Sequence, residues 1–122
     1  MDYASETPAL MKLPKPKREK DDEFVRWLHG WKCCVPNCGV WPVDAHHVKS
    51  RGAGGSDRQA IPLCHFHHVM GGSAVHKVGI LTFQKMHAID LEAQVERFNA
   101  LYNDGAEGPH FQHLPDRKYR TS

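Results

Sequence analysis

Ile61-Pro62-Leu63-Cys64-His65-Phe66-His67-His68 sets one thiol and three imidazoles in the five residues that follow a short apolar run. Upstream, Cys33-Cys34-Val35-Pro36-Asn37-Cys38 supplies the other three cysteines across a proline-containing turn. A lone buried cysteine is commonly just a small hydrophobe. Two clusters, each able to offer a pair of soft donors, point instead to a tetrahedral zinc site. Cys64 and His67 form one pair; the other is Cys33 with Cys38 or Cys34 with Cys38, since either spacing lets a tight knuckle aim two sulfurs at one ion. In a secreted chain the four cysteines could instead form two disulfides, in three pairings.

Histidine is over-represented around these thiols. Six of the ten histidines fall between positions 46 and 76. His67 and His68 lie about 100° apart if helical, so one can serve the thiol-rich ion and the other a second ion. His76, returning after Gly71-Gly72, can join it. Neighbouring side chains on a strand point to opposite faces, so in His46-His47 one ring can reach a metal while the other projects elsewhere if the strand bends near its end. His29, His65, His87, His110 and His113 are read as solvated or hydrogen-bonded side chains.

At 122 residues the chain suits one domain, with a core small enough to profit from metal staples. Residues 1–20 read as a basic, proline-broken arm, 21–103 as the folded domain and 104–122 as an irregular basic tail. Asp21 or Asp22 caps a short helix with Phe24, Trp27 and Leu28 on one face, closed by Gly30. Pro36 to Gly39 reads as a turn between strands at Val40-Trp41 and Val43–Val48. Leu81, Phe83 and Met86 suggest a further amphipathic turn or two. Asp90 caps a longer helix with Leu91, Val95, Phe98 and Leu101 as its apolar face. The glycine-rich stretch from Arg51 to Asp57 lacks the residue order of a phosphate-cradling nucleotide loop. The expected class is α+β.

The 16 Lys and Arg against 14 Asp and Glu leave a net charge of +2, too weak to name a nucleic-acid partner from totals. The distribution is more informative. Lys12, Lys15, Lys17, Arg18 and Lys20 crowd one end and Arg117, Lys118 and Arg120 the other, with Asp90, Glu92, Glu96, Asp104 and Glu107 between. No run approaches the 18 apolar residues of a membrane span, and the first residues lack a secretory signal's apolar block. An intracellular, reducing setting is therefore expected, one that favours metal over disulfides.

Taken together, the cysteine knuckle, His46-His47 followed by Lys49-x-Arg51-Gly52 and Gly54-Gly55, Ile-Pro-Leu-Cys-x-x-His-His, and Gly-Gly-x-x-x-His resemble the HNH endonuclease superfamily. The nearest branch is the phage recombination-enhancement (Ref-like) HNH nucleases, which share the Trp-bearing helix before the knuckle. The resemblance covers about residues 22–102. It implies a small ββα-metal, treble-clef-like core with flanking helices, and hydrolysis of DNA phosphodiester bonds, by nicking or cutting, with low sequence specificity.

Carried over by position, the resemblance makes His47 the general base and His46, His68 and His76 the ligands of the catalytic ion. Cys33, Cys38, Cys64 and His67 match the structural zinc positions. Two departures stand out. The family's middle Asn is missing, with Asp57 or Gln59 near its place, and His68 and His76 are further apart than the i, i+4 spacing of many members. A neutral imidazole accepts water's proton well near pH 7. Three imidazoles suit zinc, nickel or manganese better than magnesium, although substrate phosphate adds oxygen ligands that magnesium can use. Lys49, Arg51 and Arg58 are the expected contacts to DNA phosphates, giving salt-sensitive binding. The implied setting is the cytoplasm of a bacterial host, with a recombination or packaging protein as a further candidate partner. The rival expectation is a non-catalytic zinc module that binds DNA or protein.

Overall fold

The computed structural model describes residues 21–48 and 56–115. Residues 1–20, Lys49, Arg51, Arg117, Lys118 and Arg120 lie outside the described residues. What is described is a small α+β unit of four helices and one two-stranded antiparallel sheet.

Helix α1 (Asp22–Leu28) begins where Asp21 Oδ1 accepts the Phe24 amide at 3.0 Å, and Asp22 and Glu23 add negative charge at the positive end of the helix dipole. It buries Phe24, Val25, Trp27 and Leu28. After Trp31 the chain turns into the knuckle. The Cys38 amide donates to Val35 O and the Cys33 amide to Val40 O, while Asn37 and Gly39 adopt positive φ. Glycine accepts that conformation freely.

The expected strand at Val40-Trp41 does not form. Its residues close the knuckle instead, and Pro42 has no amide to give to a ladder. Strand β1 is Asp44–His47, and its partner is β2, Ala60–Leu63, with Asp44 opposite Leu63 and His47 opposite Ala60. All four residues of β2 are buried, which explains why the segment lacks an alternating pattern. Between the strands, Ser56 and Gln59 form a reciprocal cap around a 3-10 turn at Asp57–Gln59.

After β2 comes a single wide, π-helical turn, Phe66–Met70, ended at Gly71, whose amide donates to Phe66 O. A Cβ at Gly71 would stand 2.7 Å from the Phe66 ring. Helix α2 (Val75–Val78) and helix α3 (Ile80–His87) are separated by Gly79 at φ +85°. Only Phe83 of the expected apolar trio is buried; Leu81 and Met86 are exposed. Helix α4 (Leu91–Asn103) starts where Asp90 Oδ1 accepts the Ala93 amide, and it buries Leu91 and Phe98.

Two apolar clusters meet at β2. Ile61 and Leu63 pack with Val35, Val43, Val75, Phe83 and Leu91, whereas Ala60 joins Phe24, Trp27, Leu28 and Phe98. Each large buried side chain contributes roughly 1.5–3 kcal/mol. Residues 104–115 are largely irregular, as expected, yet they are not a loose tail. Ala106 O accepts from Trp27 Nε1 at 2.6 Å, the His110 amide donates to Gly30 O, and the His110 ring stacks on Trp41. A Cβ at Gly30 would stand 2.8 Å from Phe111 Cα, so a side chain there would push this segment off α1. Residues 104–115 thus pack against α1 and the knuckle.

Candidate metal centres

The knuckle, the start of the π-helical turn and β2 bring four donors together. Cys33, Cys38, Cys64 and His67 place their ligand atoms within 4.8 Å of one another. Cys38 Sγ and Cys64 Sγ are 3.8 Å apart, and His67 Nδ1 lies 3.2 Å from Cys64 Sγ and 3.7 Å from Cys33 Sγ. A tetrahedral ion with sulfur bonds of about 2.3 Å requires sulfurs about 3.8 Å apart. The donor set therefore fits one. Cys34 stands outside it: its amide donates to Pro62 O, and burial pushes its thiol up to about 12. Of the two spacings open in the sequence, the structure assembles the one with Cys33.

A second group stands on the other side of the same turn. His46, His68 and His76 offer nitrogens within 4.8 Å of one another. The Nε2 atoms of His68 and His76 are 3.1 Å apart, and the His46 ring lies edge-on to both, at centroid distances of 5.2 and 5.3 Å. His46 is only 5% exposed, and its Nε2 is buried with no hydrogen-bond partner among the described residues. A buried polar atom left unpaired costs about 1–3 kcal/mol. A cation bound by the three rings would relieve that cost, so the residues present fit an ion. Burial, and then the neighbouring His68 and His76, drive the His46 imidazole down to about 3; burial and His68 also lower His76. Both rings are thereby held neutral, the form that binds metal.

Asp44 lies behind this group. Its Oδ2 accepts from His68 Nδ1 and from His65 Nδ1, each at 2.9 Å. Burial raises the Asp44 carboxyl, but the hydrogen bonds from His65 and His68 outweigh it and hold the group below its ordinary value.

His47, on the opposite face of β1 from His46, joins neither group. Its Nε2 donates to Asp57 Oδ1 at 2.9 Å, and the side chain is 8% exposed. Asp57 is fully buried, and its Oδ2 accepts the Asp21 amide at 2.8 Å. Gln59 turns back to cap Ser56, so Asp57 is the residue that reaches His47. The four-residue pairing of β1 with β2 is unbroken, and alternation alone sends the two rings apart.

The DUF968 family, described as proteins of unknown function, matches residues 2–104. This chain belongs to the DUF968 family. A relative from Escherichia coli (strain K12), the uncharacterized protein YdfU, is 36% identical over 65 residues, covering 49% of this chain and 18% of YdfU. The chain thus spans about a fifth of that relative's length. No solved structure matches.

In this DUF968 chain, Arg58 is committed to the fold. Its guanidinium donates to Asn99 Oδ1 at 2.9 Å and Asn103 Oδ1 at 3.0 Å, and it lies over the rings of Phe24 and Tyr102. The residue expected at DNA phosphates is thus engaged by side chains of the fold, with its own side chain 24% exposed. Lys49 and Arg51 lie outside the described residues. His29 donates to Val25 O, His87 to Ser73 O, and His65 to Asp44, in keeping with their reading as hydrogen-bonded rings. Asp44 is the site residue that the motif reading missed. Its one sequence signal is its place two residues before His46, which on a strand puts both on one face. Among the described residues no helix is long and apolar enough to cross a membrane.

Proposed function

We propose that this DUF968 chain is a metal-dependent DNA endonuclease of the HNH type, in which β1, β2 and the turn at Phe66–Met70 form a ββα-metal centre. The observation that carries the reading is the division of labour in His46-His47: one imidazole converges with His68 and His76, while its neighbour is left unligated against a buried carboxylate. Cys33, Cys38, Cys64 and His67 would hold a structural zinc ion. His46, His68 and His76 would hold a divalent ion, magnesium or manganese, with zinc or nickel as alternatives. When bound, that ion supplies Lewis-acid stabilisation of charge on a phosphodiester.

The chain's own residues supply the rest. With Nε2 donating to Asp57, His47 is left with Nδ1 as its proton acceptor. Asp57 fixes the tautomer and orientation of the ring and stabilises the imidazolium formed when the ring takes a proton from water, the role a carboxylate plays behind a catalytic histidine. The Asp21 amide holds Asp57 in turn, so the N-terminus of α1 braces the base. DNA would be the substrate, in a bacterial cytoplasm and a phage or prophage setting, with phosphate contacts from Lys49 and Arg51 and a recombination or packaging protein as a further partner.

One observation favours a second reading. The His47 side chain is 8% exposed, which suits a structural tie between β1 and α1 in a non-catalytic zinc module that binds DNA or protein. Supercoiled plasmid incubated with the protein and a panel of divalent ions separates the two. Loss of a general base typically costs about 10²–10⁴-fold in rate. His47→Ala is expected to lose nicking to that extent while keeping its fold and bound metal. Nicking unchanged in this variant, or absent from the wild type with every ion, leaves the binding module.

A further inference from the structure

Asp44 and His46 lie on the same face of β1, and the Asp44 carboxylate meets the three-histidine group from behind. A single oxygen, Oδ2, takes hydrogen bonds from His68 Nδ1 and His65 Nδ1. The two rings differ in every other respect. His65 is 63% exposed and stands outside the group of converging nitrogens, whereas the His68 side chain is 16% exposed and belongs to it.

A neutral imidazole carries its proton on one nitrogen and its lone pair on the other. Only the second can ligate. A hydrogen bond from Nδ1–H to a carboxylate leaves the lone pair of His68 on Nε2, the atom 3.1 Å from His76 Nε2. A ring free of that partner would divide its population between the two tautomers, and one of them turns an N–H toward the site. Ligating histidines that donate their other N–H to a carboxylate are fixed in tautomer and rotation in this way.

We infer that Asp44 is the positioning residue of the three-histidine centre, selecting the tautomer and ring orientation of His68, and that His65 is a second donor steadying the carboxylate without ligating. The inference rests on the metal-centre reading above and not on the cleavage of any substrate.

The test uses the full chain given one equivalent of zinc, enough for the thiol-rich group alone, then titrated with Ni²⁺ by calorimetry without DNA, alongside nitrogen-15 NMR of the His68 ring. Asp44→Ala is expected to weaken nickel binding by about 10–100-fold. It should also move His68 from an Nδ1–H ring to a mixture, with zinc content unchanged. Asp44→Asn keeps an acceptor oxygen and should fall between it and the wild type, and it carries the test should Asp44→Ala fail to fold. His65→Ala should retain most of the affinity. Nickel binding and His68 tautomer unchanged in both Asp44 variants overturn the assignment, and a wild type that takes up no nickel overturns it together with the metal centre. Weakened nickel binding in a protein that never nicks DNA upholds the assignment and counts against the nuclease reading alone.

Discussion

The Nε2 atoms of His68 and His76 face one another at 3.1 Å, although the two residues are eight positions apart in the chain. Gly71 lets the backbone pass close to the Phe66 ring, and α2 then returns His76 toward the turn that carries His68. Imidazoles brought this close compete for one proton in the metal-free protein and can share one cation. His76→Ala should therefore reduce bound metal, measured by elemental analysis after loading with zinc, from two ions per chain to one. The thiol-rich ion should remain, because His76 contributes nothing to its ligand set. Two ions retained per chain would contradict the assignment of His76.

Cys33 and Cys34 are adjacent, yet only Cys33 points its sulfur into the four-donor group. Structural zinc supplies roughly 10 kcal/mol of apparent binding energy to a small domain, comparable to its whole stability. Cys33→Ser should lose zinc and cooperative thermal unfolding together. Cys34→Ser should keep both, because its thiol is buried against the apolar side of the knuckle. The same two melts with a strong chelator should make wild type resemble Cys33→Ser; if chelator leaves the wild-type melt unchanged, the four-donor group is not a structural zinc site.

Burial depresses the His46 imidazole to about 3 in the folded chain, while an unfolded histidine titrates near 6.5. Below pH 6.5 the unfolded state therefore binds a proton that the folded state refuses. Stability is unaffected by this group above pH 6.5 and declines as pH falls from there towards about 3. At pH 5.5 the penalty should be about 1.4 kcal/mol. His46→Leu, with the second site free of metal, should show a pH dependence of urea unfolding flatter than wild type by that amount between pH 7.5 and 5.5. Zinc release from the thiols is common to both chains and cancels in the comparison, so parallel profiles would refute the burial argument.

The two donor groups are legible in the sequence because metal chemistry needs particular atoms, and thiols and imidazoles at short offsets advertise them directly. Helices α1 and α4 are legible for a similar reason, since an Asp cap and a recurring apolar face mark each one. The strand pairing is harder to see. Pro36-Asn37-Cys38-Gly39 has the composition of a hairpin turn and of a knuckle alike, and nothing local tells Val40-Trp41 from Ala60–Leu63 as the partner of β1. Asp44 and Asp57 are single carboxylates whose roles come from partners 21 and 24 residues away in one case and 10 away in the other. The docking of residues 104–115 depends on Gly30 and Gly108 letting two backbones approach closely, which no periodicity announces.

His67 and His68 are consecutive residues on one short turn, and they answer to different donor groups. The spacing of the outer set is therefore inherited from the inner one: the backbone that anchors His67 among the sulfurs is the backbone that aims His68 toward His46 and His76. On the proposed metal reading, loss of the inner ion would disturb the outer centre without touching any of its own ligands.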